Sequence, residues 1–282
     1  MAAVGRSTSS VSSTRCVGQQ GQQHSCISQL RGVYKIKTLP SSKGANLALD
    51  LILEITVESL DTALAAERGG ADRIELCADL VHGGLTPSVA AMRKVHDELE
   101  IPVFPIIRPR AYDFVYSETE FAAMKRDISI ARDLGMDGVV FGILRADRSI
   151  DIERTTELVQ WARPLEVTFH RAFDQTPDLL QAIEDVITTG ATRILTGGGP
   201  GTALQGVKTL QKLVKAAGNR IVIMPGGGID AKNITKIIAD AQAPELHSGL
   251  GSVLPYGSSN LQLFEAEIQA MKRHSREVSR SA

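Results

Sequence analysis

The feature that most constrains this chain is an alternation that begins near residue 49 and runs almost to its end. Short strand-like runs fall at 51–55, 73–76, 103–107, 138–141, 166–169, 193–195, 220–224 and 245–247. Most are rich in Val, Ile and Leu, as parallel strands covered on both faces are. Between them lie segments with helical punctuation. Ser59 precedes the first helix and Gly69-Gly70 ends it. Thr86-Pro87 reads as a cap followed by proline at the first helical position. Ser117-Glu118-Thr119-Glu120 is a capping box whose helix runs to Leu134 before Gly135. Asp151 caps the fourth helix, which Pro164 follows. Thr176-Pro177 repeats the cap-and-proline device, with Gly190 as the stop. The sixth helix, about 204–217, ends at Gly218; Asp230 opens the seventh, and Ser259 caps the last.

Eight evenly sized strand–helix units predict an α/β fold, a single (β/α)₈ TIM barrel over 49–275 with a tail at 276–282. A doubly wound sheet is the rival. It usually carries a glycine fingerprint after its first strand, where this chain has Val57-Glu58-Ser59. Ahead of the barrel, residues 1–48 contain no Asp or Glu but hold Arg6, Arg15, Arg31, Lys35, Lys37 and Lys43 among many serines. This basic, Ser-rich segment is either a disordered extension or a mitochondrial or plastid transit peptide. Its cysteines, Cys16 and Cys26, and Cys77 of the body draw no disulfide framework, which fits a reducing compartment. A net charge of −1 leaves no basic footprint for nucleic acid. No apolar run reaches the length of about 18 residues that a membrane span needs.

In a barrel, alternate side chains face the interior, and chemistry sits at the carboxyl ends of the strands. That parity turns Glu54 and Thr56 inwards on the first strand, Glu75 and Cys77 on the second, and His170 on the fifth. Arg108 and Arg110 share one parity beyond the third strand; Thr196, Met224 and His247 close the sixth, seventh and eighth. The ring supports several chemistries. Glu54 and Glu75, on strands about 5 Å apart, form an acid/base pair assisted by His170, unless an arginine neutralises one of them; a Glu–Arg brace of the barrel is the alternative. Arg108, Arg110, Thr196 and the glycines Gly226, Gly227 and Gly228 suit a phosphate or carboxylate, because loops after the late strands of such barrels seat anions. A second glycine run, Gly197-Gly198-Gly199, follows the sixth strand. Cys77, Met224 and His247, with His170, are soft donors of the kind Cu(I) prefers, although buried Cys and Met also serve as plain packing. Arg171 and Asp174, on the rim beside His170, are suited to bracing one another.

Several blocks are similar to the signature of the CutC copper homeostasis family: Glu75-Leu76-Cys77, residues 83–88, Arg108-Pro109-Arg110 with Asp113, Phe114 and Tyr116, residues 168–174, and residues 224–229. They occur in unbroken order from Leu53 to His247. The resemblance implies a TIM barrel that is cytoplasmic, homodimeric and copper-binding, with no established reaction. Members of the family often carry a cysteine two residues after the first-strand glutamate, where this chain has Thr56. Two function classes therefore stand: a copper homeostasis protein holding Cu(I) at the mouth through Cys77, Met224 or His247, and an enzyme of the lyase or isomerase type acting on a small anionic or phosphorylated metabolite. A dimeric scaffold with a vestigial site is a third.

Overall fold

The structure, a computed structural model, describes residues 51–251, 253–254 and 260–281. The extension over 1–48 lies outside them, as does Ser259. In order, the elements are β1 Ile52–Val57, α1 Leu60–Gly69, β2 Arg73–Leu76, α2 Val89–Glu98, β3 Val103–Pro105, α3 Glu118–Asp133, β4 Gly138–Phe141, α4 Ile152–Ala162, β5 Glu166–Phe169, α5 Leu179–Thr189, β6 Arg193–Thr196, α6 Val207–Ala217, β7 Val222–Pro225, α7 Ile234–Ala241, β8 Glu245–Ser248 and α8 Leu261–Ser281. All ladders are parallel. They form two runs, β3-β2-β1-β8 and β4-β5-β6-β7, joined by bridges between Ile106 and Val140 and between Gly226 and His247. The ring closes, and the (β/α)₈ barrel expected from the alternation is what forms. α8 continues to Ser281, past residue 275 where a tail was expected. Among the described residues no helix is long and apolar enough to cross a membrane.

Local chemistry explains most boundaries. Ser59 and Ser117 each close a reciprocal capping box, with Thr62 and Glu120. Gly70 ends α1 at φ 92°, a left-handed turn that glycine adopts at no steric cost. Three predicted caps lie too early. Ser88 rather than Thr86 caps α2, Asp178 rather than Thr176 caps α5, and α7 begins after Asn233, not at Asp230. In the first two cases the proline precedes the cap instead of following it, because it favours extended backbone and leaves the next polar side chain to reach the helix amides.

The apolar face of each strand meets the helices: Leu53, Ile55, Ile74, Leu76, Val139, Phe141, Phe169, Ile194 and Leu246 are fully buried there. Each contributes on the order of 1.5–3 kcal/mol by leaving water. α8 seals the last helix against the first, where Gly69 lets Ile268 approach so closely that a Cβ would lie 2.8 Å from it. On the outer wall Trp161, next to the end of α4, donates its indole N–H to Lys125 O and Ser129 Oγ of α3.

The inward faces are not apolar. Arg73, Arg193 and Glu245 begin β2, β6 and β8 and meet Glu54 of β1 inside the barrel. Arg73 pairs with Glu54 and, at 2.6 Å, with Glu245; Arg193 binds Glu245 at 2.5 Å and Glu166 at 2.9 Å. Both guanidinium groups lie over the Phe104 ring, at 5.0 and 5.6 Å from its centre. Gly138 makes room for that ring, since any Cβ there would be 2.4 Å from Cε2. This charged layer is the floor of the functional site.

Candidate functional site

Above the floor the barrel mouth encloses a cavity of about 420 Å³. Its wall includes Thr56, Glu75, Arg108, Phe114, His170, Arg171, Leu195, Gly227, Gly228, His247 and the chain after β8. Of the residues expected at the mouth, Glu75, Arg108, His170, His247, Gly227 and Gly228 lie along this wall.

Six other candidates go elsewhere. Gly226 belongs to the barrel wall, bridged to His247. Glu54 sits in the floor, beneath His247. Met224 is buried deeper in the barrel, its sulfur accepting from Arg73 Nη2 at 3.2 Å. Arg110 leans outwards, bound to Asp113, Glu120, Ala111 O and Val115 O. Thr196 has the opposite parity from Leu195 and gives its hydroxyl to Asp174. Cys77 packs among Phe104, Ile106, Val140 and Leu80. Burial, then the nearby Glu75 charge, pushes its thiol far above the ordinary range. The soft donors Cys77, Met224 and His247 therefore occupy different surroundings. No group of three or more His, Cys, Asp or Glu side chains suited to a metal ion occurs among the described residues.

At the centre of the mouth His247 links two carboxylates. Its Nδ1 lies 2.7 Å from Glu54 Oε1, and its Nε2 lies 2.9 Å from Thr56 Oγ1. Thr56 in turn donates to Glu75 Oε2 at 3.0 Å. A hydroxyl that gives its one proton to Glu75 can only accept from His247, and an ionised Glu54 can only accept as well. Both ring nitrogens therefore donate, which describes an imidazolium. The electrostatics agree. Burial opposes charging of Glu54, but the Arg73 guanidinium and the His247 hydrogen bond hold it well below the usual carboxylate range. Burial likewise opposes charging of His247, yet the bond to Glu54 and the charge of Glu75 raise its pKa. Burial raises Glu75. The two glutamates are thus driven apart, and the arginine that separates them is Arg73, not Arg108 or Arg110.

Across the cavity His170 is kept neutral, its pKa held down at about 3 by burial and then by the charge of Arg108. Its Nδ1 accepts from Ala172 N–H at 3.3 Å, and Gly142 leaves room for the ring, where a Cβ would stand 2.5 Å from Nδ1. Phe114 stands between the two basic groups, its ring centre 4.7 Å from that of His170 and 4.9 Å from the Arg108 guanidinium carbon. Arg108 Nη1 is spent on the carbonyls of His82, Gly83 and Gly84.

Arg171, on the cavity edge, binds Asp174 through Nε at 2.7 Å and Gly201 O through Nη2 at 2.8 Å, as rim bracing predicted. Asp174 also accepts from the amides of Gly197 and Gly199. The run 197–199 is therefore already filled by a carboxylate of the chain itself, and Gly227 and Gly228 of the other run border the cavity. Sequence reading missed Arg73, Arg193 and Glu245 as partners in this arrangement, and the glycine amides as partners of Asp174. The signal for the first three was parity, since each lies two residues before an inward residue on its own strand.

The CutC family model matches residues 51–252. The chain belongs to the CutC family. It is 45% identical over 219 residues to a copper homeostasis protein cutC homolog of Homo sapiens, covering 78% of this chain and 80% of that one. A family protein CutC of Mesorhizobium japonicum is 46% identical over 196 residues, 70% of this chain and 76% of the relative. Among solved structures, the putative copper homeostasis protein CutC of Streptococcus agalactiae superposes with a TM-score of 0.68 at 34% identity, covering 70% of this chain and 98% of that one. Phosphoribosylanthranilate isomerase of Thermotoga maritima aligns at a TM-score of 0.54 and 14% identity over 80% of this chain and 99% of its own, a likeness of fold alone. At the heart of the mouth the Thr56 hydroxyl carries the contact between Glu75 and His247.

Proposed function

We propose that this protein has a role in copper homeostasis and that its barrel mouth binds a small anionic metabolite. The first half is supported by relatives that bear the name copper homeostasis protein at about 45% identity over most of the chain. The second rests on one observation: Arg108 and His170, each only 5% exposed, line the cavity while Arg108 Nε and His170 Nε2 are buried without a hydrogen-bond partner. Buried donors are nearly always satisfied, so two such nitrogens beside one cavity point to a ligand acceptor. Arg171 and the imidazolium of His247 add positive charge around it. Cu(I) binding at Cys77 is the narrower form of the copper role, and its support is the family resemblance together with a soft donor beside the mouth. A homodimer in the cytoplasm is part of the same reading, on the family resemblance alone.

Thermal shift with inorganic phosphate, 2-phosphoglycolate and malonate tests the mouth. An anion at about 100 times its Kd stabilises the native state by about 2.7 kcal/mol, a rise of roughly 5–10 °C for a domain of this size. Wild type should show it, and Arg171→Met should lose most of it. An equal shift in both proteins, or no shift in wild type, removes the anion reading. A competitive Cu(I) titration of wild type and Cys77→Ser decides the copper site, because equal weak binding in both leaves Cys77 no part in it.

A further inference from the structure

The polar groups of the mouth divide into donors without acceptors and an acid with one oxygen free. Because Nδ1 of the neutral His170 accepts the Ala172 N–H, its ring proton sits on Nε2, the nitrogen that lacks a partner. Arg108 Nε is in the same position. Leaving a buried donor unpaired is costly, and a ligand oxygen relieves that cost. Glu75 supplies the complement. Thr56 engages Oε2, and no described residue hydrogen-bonds Oε1. At the edge, Arg171 Nη1 lies against Gly227, 2.9 Å from where a Cβ would stand, and the loops after β7 and β8 complete the wall. Loops in that position are where barrels of this architecture hold phosphate groups.

Resting on the anion reading above, we propose that the mouth catalyses proton transfer next to the carbonyl of a phosphorylated α-hydroxycarbonyl compound, with Glu75 carrying the proton and His170 donating to the carbonyl oxygen. The phosphate sits against Arg171 and the Gly227–Gly228 turn. The Glu75 carboxylate takes the proton from the carbon that bears the hydroxyl. The electron pair of that C–H bond forms the new C=C bond, and the carbonyl π pair moves onto oxygen. The resulting enediolate oxygen is held by His170 Nε2–H and the Arg108 guanidinium. Glu75 returns its proton to the former carbonyl carbon, and the remaining hydroxyl proton passes from one oxygen to the other. The product is the isomeric carbonyl compound, and nothing is oxidised or reduced overall. Behind Glu75, the Thr56 hydroxyl links it to His247, whose charge Glu54 compensates. Glu54 is a positioning residue in this scheme and does not reach the substrate. A neutral donor facing a carboxylate is the pairing that enolisation requires, since an imidazolium would give up its own proton to the developing oxyanion.

The test is proton NMR in deuterium oxide with the full-length chain and dihydroxyacetone phosphate, following loss of the signal from the carbon-bound protons, with dihydroxyacetone as the control lacking phosphate. Wild type should exchange the phosphorylated probe faster than buffer and faster than the control. Exchange should fall at least ~100-fold in Glu75→Gln and roughly 10- to 100-fold in His170→Leu, both purified identically. Calorimetry with 2-phosphoglycolate should give Glu75→Gln an affinity within about threefold of wild type, since only the proton carrier is changed. Exchange at the buffer rate in wild type, or equal exchange in wild type and Glu75→Gln, overturns the proton chemistry. If 2-phosphoglycolate still binds in that event, the anion reading stands without it. If 2-phosphoglycolate does not bind wild type, the anion reading fails as well.

Discussion

His170 shows how burial, with the charge of Arg108 beside it, sets a chemical role at the scale of one residue. Its folded pKa of about 3 lies below the ordinary value of 6.5, so the unfolded chain binds more protons between those limits. Stability contributed by the neutral ring is complete above about pH 6.5 and is lost as pH falls towards 3. We therefore expect the melting temperature of wild type to drop between pH 6.5 and 4.5, and His170→Leu to show a shallower slope over the same range, measured by calorimetry. An identical slope in the two proteins would place the acid sensitivity elsewhere. The sequence made His170 legible, because a strand alternating Val167, Thr168, Phe169 leaves no doubt which wall its successor joins. It did not make Thr196 or Met224 legible. Thr196 follows the inward Leu195 and so turns to Asp174, while Met224 faces inwards but below the mouth. Parity gives the side of the wall, and height along the strand must come from register.

Helix starts are where local signals mislead at the scale of the element. The dipeptide Thr176-Pro177 looks like a cap with its proline, yet Thr176 donates to Phe173 O at the end of the preceding 3₁₀ turn, and Asp178 accepts from the amides of Leu180 and Gln181. Proline is equally comfortable before a cap and after one, so the dipeptide fixes the boundary only to within a few residues. Asp178→Ala should cost about 1 kcal/mol, the usual worth of a cap, and lower the melting temperature by roughly 2–4 °C. No loss in that variant would mean that α5 is held by its packing alone.

The ion network is what the whole molecule adds, and of its members sequence reading singled out Glu54 alone. Charged residues are nearly always exposed unless paired, which makes Arg73, Arg193 and Glu245 look like surface groups until all eight strands are closed into a ring. Within that ring Arg73 serves Glu54 and Glu245 together, while Arg193 keeps Glu245 paired if Arg73 is removed. Arg73→Met should therefore cost about 3 kcal/mol by leaving His247 as the remaining partner of the buried Glu54 carboxylate, and adding Glu54→Gln should recover part of that loss. Urea unfolding of both single variants and the pair gives the coupling. Strictly additive losses would show that the floor is filled by volume and not by charge balance.

The chain has a single tryptophan, and Trp161 is fastened to α3 on the outer wall, at the end of a helix that runs away from the mouth. Its emission therefore reports the opening of the barrel's shell and is blind to events among Glu75, Arg108 and His170. An unfolding curve followed by fluorescence in the presence of a ligand will move only through the stability that the ligand confers, free of quenching at the site. The fold thus carries an optical probe already separated from the binding event it is used to detect.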